Sequence, residues 1–223
     1  MQFVDMKKRI TTWALALSAG LACITGQAAD GKKAIKLFNG VDLENWIQQK
    51  PRAWEARDGL LQPSASPGGY IWANGSYDNF VLELDFKMSK RCNSGVFFRT
   101  DPKNPVQGGF EIQIMDSYGK AKVGRHDCGS LYDAVAPSTN ASKPAGEWNH
   151  MKITVNGASV KVMLNDKQII AADLDQWITA RRNPDGSRNK FRTALKNLPR
   201  TGSVGLQYHG HPVWFKNIVL KPL

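Results

Sequence analysis

Polar side chains recur at every second position in two stretches of this sequence, and their types could do chemistry. The stretch "GLQYHG" places Gln207 and His209 on one side of a predicted strand, and "GFEIQIMD" does the same with Glu111 and Gln113. Side chains two residues apart share one face of a β-strand. A carboxylate or an imidazole can act as a general acid or base, and amides can bind polar groups of a ligand. We therefore expect a site on the faces that carry these four residues.

Two further stretches also place polar residues on the strand face that points away from the predicted core. "FVLELDFKM" turns Glu83 and Asp85 away from its apolar residues, and "SGVFFRT" contributes Arg99. Ordinary solvation explains Glu83, but carboxylate, guanidinium, amide and imidazole groups on several strands indicate a convergent site. The apolar neighbours Phe97 and Met115 would supply walls beside the polar groups, as in clefts that bind small ligands. A carbohydrate or similar polyol fits this mixture best.

The strands that must position these residues follow a period of two along most of the chain. "NHMKITVNGASVKVMLND" reads as two alternating strands joined by Asn156-Gly157, a strong hairpin signal. Glycine and proline separate the predicted strands, and little of the sequence favours helix. This pattern predicts an all-β sandwich or jelly roll. The two longest stretches without a strand pattern, 116–147 and 178–201, are expected to be functional or mobile loops.

The first 29 residues predict a secretory signal peptide. Lys7, Lys8 and Arg9 precede an apolar run from Trp13 to Ile24, and small residues follow. Lipid modification at Cys23 is the alternative, because "GLAC" loosely matches a lipoprotein cleavage box. Residues 30–223 are then a single domain in a periplasmic or secreted protein. No later stretch has the roughly 20 consecutive apolar residues that a membrane-spanning helix needs.

Export affects how the remaining two cysteines are interpreted. Cys92 and Cys128 form an even pair in an oxidising compartment, and a disulfide between them is expected. The alternative is two buried free thiols, which apolar cores accept readily.

The charge of the chain is concentrated in one segment. The formal net charge is +11, and residues 181–200 hold seven basic residues and one acid, a local charge of +6. A basic patch can bind nucleic acid. This segment has a single aromatic residue for stacking on bases, and the predicted export also argues against that partner. We expect a solvated loop with one short helix.

Six ordered motifs in the chain resemble a known family. They are "KLFNGVDLENW", "NSGVFFR", "GFEIQIMD", "CGSLYDAVAP", "GEWNHMKITVNG" and "GSVGLQYHGHPVWFKNIVLKPL". Together they resemble the 3-keto-disaccharide hydrolase domain family, from about Ile35 to Leu223. The resemblance implies a concanavalin A-like β-sandwich, a jelly roll akin to lectins and glucanases, with its ligand groove on the concave sheet.

The resemblance also implies action on glycosides whose C3 hydroxyl has been oxidised to a ketone. The ketone acidifies the C2–H bond, so a base can remove that proton and the C1 oxygen can leave by β-elimination. The resulting 2-hydroxy-3-keto-glucal can then be hydrated to the free 3-keto sugar. This route needs a base, a partner for the enolate oxygen and help for the leaving group. It does not need the two carboxylates of direct glycoside hydrolysis.

Residue roles follow as hypotheses from the resemblance. His209 or Glu111 is the base or acid, and Arg99 stabilises the enolate or holds hydroxyls. The remaining residues would bind sugar hydroxyls or close the groove, namely Asp85, Gln113 and Gln207 for the hydroxyls and Asp116 and Tyr132 for the closure. A divalent metal could polarise the ketone as a Lewis acid, although no tight ligand spacing supports one.

Two other functions stay open at this point. A non-catalytic, lectin-like module could use the same fold and the same polar residues. Direct hydrolysis of an ordinary glycan is the other, but the chain lacks the E-x-D-x-x-E pattern expected of glucanase-type enzymes. If the substrate is a 3-keto-glycoside, a separate sugar 3-dehydrogenase must supply the ketone.

Overall fold

The computed structural model describes Met1 and residues 32–64 and 68–223, and within this part the chain is almost entirely strand. The predicted signal peptide and Cys23 lie outside the described residues, so both stay predictions. The strands in chain order are β1 (Ile35–Lys36), β2 (Trp46–Gln48), β3 (Trp54–Arg57), β4 (Leu60–Pro63), β5 (Gly69–Ala73), β6 (Phe80–Met88), β7 (Asn93–Thr100), β8 (Phe110–Met115), β9 (Trp148–Asn156), β10 (Ser159–Leu164), β11 (Lys167–Asp173), β12 (Ser203–Tyr208) and β13 (Val213–Pro222).

The strands form two antiparallel sheets. The large sheet has eight strands in the order β11-β10-β9-β6-β13-β4-β3, and β1 pairs with β13 outside that path. The small sheet has five strands in the order β2-β5-β12-β7-β8. The only helical elements in the described ranges are two single 3₁₀ turns, Leu174–Gln176 and Leu195–Asn197. No helix in this part of the chain is long and apolar enough to cross a membrane.

Alternation of apolar and polar residues builds the large sheet as predicted. Along β6, Phe80, Leu82, Leu84, Phe86 and Met88 are all fully buried, while the residues between them are partly exposed. The β9–β10 hairpin turns at Asn156-Gly157, with Gly157 in the left-handed region at φ 55°. The buried residues of both sheets make one apolar cluster, so the core lies between the sheets. The predicted all-β sandwich is confirmed.

The small sheet differs because both of its faces are buried. In β7 every residue from Ser94 to Thr100 is buried, and Phe97 belongs to the face that points away from the core. Long loops cover that outer face. Tyr132 donates its backbone N–H to the carbonyl of Glu111 in β8, and Lys190 donates its backbone N–H to the carboxylate of Asp133. The two loops predicted from the sequence therefore fold over the small sheet.

The predicted Cys92–Cys128 disulfide is not formed, since both cysteines are free and buried. Burial raises the pKa of each thiol to about 12. A buried protonated thiol packs as a small apolar group. The expectation rested on the predicted compartment alone and carried no information about side-chain geometry, which explains the error.

Candidate active site

Four strands of the small sheet bring the site residues together on its outer face. Gln207 of β12 lies opposite Tyr70 of β5. In the neighbouring strand pair of the same sheet, Gly95 of β7 lies opposite Gln113 of β8, and Phe97 lies opposite Glu111. Because register and alternation are shared along these strands, their outward side chains form one continuous floor. The structure places Glu111, Gln113 and Gln207 together on this floor.

Two glycines shape that floor. A Cβ atom at Gly95 would overlap the carboxylate of Glu111, and a Cβ atom at Gly205 would overlap the indole ring of Trp72. The missing side chains therefore allow Glu111 and Trp72 to lie flat across the neighbouring strands. Glycine inside a strand often marks such a close approach. The Glu111 carboxylate therefore lies directly over the backbone of Gly95, in space that any larger residue would fill.

Glu111 is a carboxylic acid held largely out of water. Its exposed fraction is 8%. Burial raises the pKa of Glu111 from 4.5 to about 7, and the positive charge of Lys190 opposes this rise. A carboxyl group with a pKa near neutrality can accept and return a proton with little thermodynamic bias. Perturbed carboxyl groups of this kind are enriched at active sites.

Lys190 enters the site from the basic segment 181–200. Its Nζ atom lies 3.4 Å from the centroid of the Tyr132 ring. Two backbone hydrogen bonds fix its position: its N–H donates to Asp133 Oδ2 at 2.6 Å, and its carbonyl accepts from Gln107 Nε2 at 3.0 Å. Burial lowers the pKa of Lys190, while Glu111 and Asp133 act to raise it. The site therefore pairs a buried acid with a partly desolvated ammonium group.

Two amide side chains, Gln113 and Gln207, belong to the floor. Gln113 Nε2 donates to Asn93 Oδ1 at 2.8 Å and also contacts the carbonyls of Ser94 and Ile114, at 3.1 and 3.2 Å. Its Oε1 atom is buried without a partner. Gln207 Nε2 donates to the Tyr70 hydroxyl at 3.2 Å. A buried acceptor without a hydrogen-bond partner costs free energy, and folded proteins keep few of them.

These side chains surround a cavity of about 330 Å³, which we call the floor cavity. The residues that line it are Tyr70, Asn93, Val106, Glu111, Gln113, Tyr132, Lys190, Gln207 and His209. His209 follows β12 directly and is exposed at the edge of the cavity. The structure therefore brings together five residues predicted from sequence, and their individual roles stay predictions.

Arg99 does not belong to the floor cavity. Between Phe97 and Thr100 β7 advances by three residues while its partner β12 advances by two, which is a β-bulge, and Arg99 adopts φ 48°. Its guanidinium donates to Asp78 O, Gly157 O and Asn79 Oδ1 at 2.7–3.0 Å. The predicted contact of Arg99 with the enolate or with sugar hydroxyls is wrong, because the bulge breaks the alternation that placed Arg99 on this face.

Asp85 lies on the opposite side of the sandwich. It belongs to β6, so its outward side chain is on the outer face of the large sheet. Its two oxygens contact His150 Nδ1 at 2.7 Å and Asn217 Nδ2 at 2.6 Å. Alternation alone cannot tell the outer faces of two sheets apart, and the predicted contact of Asp85 with the sugar is wrong for that reason.

Asp116 is also outside the floor cavity. Its Oδ2 accepts the backbone N–H of Arg91 at 2.7 Å, and its own N–H donates to the carbonyl of Cys92 at 3.0 Å. It holds the turn before β7 against the end of β8. The predicted closure of the groove by Asp116 is therefore wrong, whereas Tyr132 does border the cavity.

The floor cavity does not fit a zinc site. Glu111 and His209 are the only histidine, cysteine or acidic side chains among its described lining residues. No group of three or more such side chains that could hold a metal occurs in residues 32–64 and 68–223. Zinc sites use three or four protein ligands, which this lining does not offer.

Sequence reasoning missed four residues of the cavity, namely Tyr70, Asn93, Val106 and Lys190. Lys190 had a usable signal. It lies beside Phe191 and near Leu195 and Leu198, and all three apolar residues are buried. A basic segment with apolar residues at this spacing packs against the protein. The prediction of a solvated loop with one short helix holds for the 3₁₀ turn Leu195–Asn197 and for most of the basic side chains, and it is wrong for Lys190.

Comparison with known proteins supports this description. The sequence profile of the 3-keto-alpha-glucoside-1,2-lyase-like domain matches residues 33–221. A 3-keto-disaccharide hydrolase of Bacteroides thetaiotaomicron is 30% identical over 233 residues, covering 87% of this chain and 79% of that protein. A crystal structure from Parabacteroides distasonis, assigned as a glycosyl hydrolase, is 35% identical with a TM-score of 0.77, covering 86% of this chain and 100% of the other.

A more distant structure shares only the fold. The Bacillus licheniformis β-glucanase has a TM-score of 0.52 at 12% identity, covering 87% of this chain and 99% of that chain. It confirms the expected concanavalin A-like jelly roll, the architecture of the glucanases.

Proposed function

Because the chain belongs to the 3-keto-alpha-glucoside-1,2-lyase-like domain family, we propose that its floor cavity cleaves glycosides that carry a ketone at C3. Family membership and the glycosyl hydrolase-like relative support a carbohydrate-active function in general terms. The reaction we propose is removal of the C2 proton and β-elimination of the C1 oxygen, with hydration of the glucal as a second step.

A single carboxylate in the floor cavity carries this proposal. Direct hydrolysis of a glycoside normally uses two carboxyl groups on either side of the scissile bond. Among the described residues that line the cavity, only Glu111 has a carboxylate. One base suffices for elimination, because the ketone itself activates the C2–H bond. The composition of the cavity therefore favours elimination over direct hydrolysis of an unoxidised sugar.

Glu111 is assigned as the base that takes the C2 proton. As the C–H bond breaks, its electrons move toward the C3 carbonyl and give an enolate. The enolate then forms the C1–C2 double bond while the C1–O1 bond breaks and the leaving group departs. Its raised pKa lets Glu111 hold the proton after transfer, exchange it with solvent and deliver a solvent-derived proton to C2 when water adds to C1 of the glucal.

Lys190 is assigned as the group that stabilises the enolate oxygen. It lines the same cavity as Glu111, and Tyr132 and the loop bonds fix its ammonium group there. A positive charge in a largely water-excluded cavity stabilises developing negative charge far better than one in water. This role replaces the one first expected of Arg99.

The amides would hold the sugar ring in place. Gln113, Gln207, Tyr70 and Asn93 line the floor cavity and offer polar groups to sugar hydroxyls. The same polar groups also suit the alternative function, a non-catalytic sugar-binding module, since binding a hydroxyl needs no chemistry.

The proposal implies a partner and a location. Because the substrate carries a ketone, an enzyme that oxidises the C3 hydroxyl of the sugar must act before this protein. We also propose that the protein is exported to the periplasm or beyond, from the signal-peptide pattern of its first 29 residues.

Incubation with 3-keto-trehalose and with trehalose in heavy water tests the proposal. We expect cleavage of the keto sugar alone, with deuterium at C2 of the hydrated product, detected by mass spectrometry. A parallel incubation with a chelator tests for a metal requirement, and we expect no loss of activity. Cleavage of trehalose would indicate direct hydrolysis. Saturable binding of the keto sugar without cleavage would indicate the sugar-binding module.

A further inference from the structure

A second cavity adjoins the floor cavity. It has a volume of about 480 Å³ and shares Tyr70, Gln207 and His209 with the floor cavity, and we call it the side lobe. Its other walls include Gln49, Gly69 and Gly210. The two spaces therefore meet along a boundary formed by a phenol, an amide and an imidazole. Both volumes lie in the range of sites for small ligands.

We propose that the side lobe binds the leaving group of the glycoside, an uncharged second sugar ring, and that His209 donates the proton to its oxygen. This inference rests on the proposed function. The C1–O1 bond is next to C2, so a sugar with its C2–H at Glu111 must extend O1 and the group beyond it out of the floor cavity. The side lobe is the adjoining space.

The position of His209 fits the proton donor. An alkoxide leaving group needs a proton as the C1–O1 bond breaks, and its oxygen would lie at the boundary of the two cavities. The side chains at that boundary that can carry an exchangeable acidic proton are Tyr70 and His209. Burial raises the pKa of the Tyr70 hydroxyl, and the hydrogen bond from Gln207 only partly opposes this rise, so the phenol is a poor proton donor. An exposed imidazole can be reprotonated from solvent after each turnover.

The walls of the side lobe suit a hydroxylated ring. Its described lining residues include no carboxylate and one lysine, Lys50, whose ammonium group can donate hydrogen bonds to hydroxyl oxygens. Tyr70 is already stacked on Trp72, with ring centroids 5.3 Å apart, so one of its faces is occupied. Gly210 adds open space, since nothing lies within 4 Å of the position a Cβ atom would take. An amide and glycine backbone offer neutral hydrogen-bonding groups that match sugar hydroxyls.

Two substrates that differ in their leaving group test the role of His209. The probes are 4-nitrophenyl 3-keto-glucoside, whose phenolate leaves without a proton, and 3-keto-trehalose, whose sugar alkoxide needs one. We expect His209→Ala to lower kcat about 100-fold with 3-keto-trehalose and less than 3-fold with the nitrophenyl substrate. His211→Ala is the matched control, because His211 lines neither cavity, and should leave both rates unchanged.

Each other outcome identifies which idea fails. Equal losses with both substrates, or no loss with 3-keto-trehalose, would overturn the role of His209. A leaving-group-selective loss in Tyr70→Phe but not in His209→Ala would transfer that role to Tyr70. Failure of the unmodified protein to cleave either keto substrate would refute the proposed function itself.

The side lobe has its own test. Gln49→Ala should raise KM at least 5-fold for 3-keto-trehalose and leave KM for methyl 3-keto-glucoside unchanged, because only the disaccharide places a ring in the lobe. An equal change for both substrates, or no change for either, would overturn the assignment of the lobe.

Discussion

The outer faces of the two sheets carry similar polar residues but use them differently. On the large sheet, Asp85 contacts His150 and Asn217, and Glu83 contacts Lys152 at 2.9 Å. These groups satisfy one another and remain in contact with water, with side-chain exposed fractions from 21% to 48% in the ion pairs. Surface pairs of this kind contribute little free energy and leave nothing for a ligand to complete.

On the small sheet the corresponding face is covered by loops and incompletely paired. Glu111 is buried near a lysine, and Gln113 keeps one acceptor atom without a partner. The same kinds of side chain therefore form a stable solvated surface on one sheet and a candidate active site on the other. The difference shows that burial and unfilled hydrogen bonds identify the site, whereas alternation only finds polar faces.

The largest expected effect is at Glu111. Glu111→Gln should lower kcat on 3-keto-trehalose about 1,000-fold, because the amide cannot take the C2 proton. The same change should stabilise the protein at pH 8. Its folded pKa is raised from 4.5 to about 7, so ionisation costs stability as the pH rises through this interval, by up to roughly 3 kcal/mol. Urea unfolding at pH 5 and pH 8 measures that difference.

The matched control for this prediction lies on the large sheet. Glu83→Gln removes a carboxylate of the same type from an exposed ion pair, and it should change neither kcat nor the pH dependence of unfolding by a comparable amount. If Glu111→Gln and Glu83→Gln behaved alike, the contrast between the two faces would be refuted.

An intermediate effect is expected at Lys190. Lys190→Met should lower kcat/KM about 10- to 100-fold and shift the rising limb of the pH profile to higher pH. The reason is that the charge of Lys190 lowers the pKa of Glu111, so its loss leaves burial unopposed. The variant keeps the other titratable side chains that line the cavity, which are Tyr70, Tyr132 and His209.

Two further variants sharpen the Lys190 result. Lys190→Arg retains the charge and should restore most of the pH profile, while Lys196→Met removes an exposed charge from the same segment and should have no effect. A loss of activity in Lys190→Met with an unshifted pH profile would argue for a purely structural role.

The smallest effect is expected on the large sheet. Asp85→Asn and His150→Ala should each change kcat/KM less than 2-fold and the free energy of unfolding by about 1 kcal/mol or less, since the pair is partly exposed. A 10-fold loss of activity in a folded variant would show that the outer face of the large sheet takes part in the function.

Several features of the fold and the site followed from the sequence. Alternation in "FVLELDFKM" and the Asn156-Gly157 turn predicted the sandwich, because strand periodicity and hairpin turns are local properties. The same local property placed Glu111, Gln113 and Gln207 on outward faces. The motifs of the family indicated the class of chemistry independently of any geometry.

Other features depended on contacts between residues far apart in the chain. The β-bulge in β7 turns the Arg99 side chain away from the floor cavity. Asp85 lies outside the site because β6 belongs to the large sheet. The covering loop places Lys190 in the same cavity as Glu111, although the two residues are 79 positions apart in the sequence.

By itself the sequence determined which residues could share a face, since that depends only on the period of two along each strand. The tertiary structure decided which face becomes a site. Only the packing of the loops over the small sheet buries Glu111, sets its pKa beside Lys190 and leaves the Gln113 Oε1 atom buried without a partner. Desolvation depends on what lies above a side chain in space, and no local pattern records it.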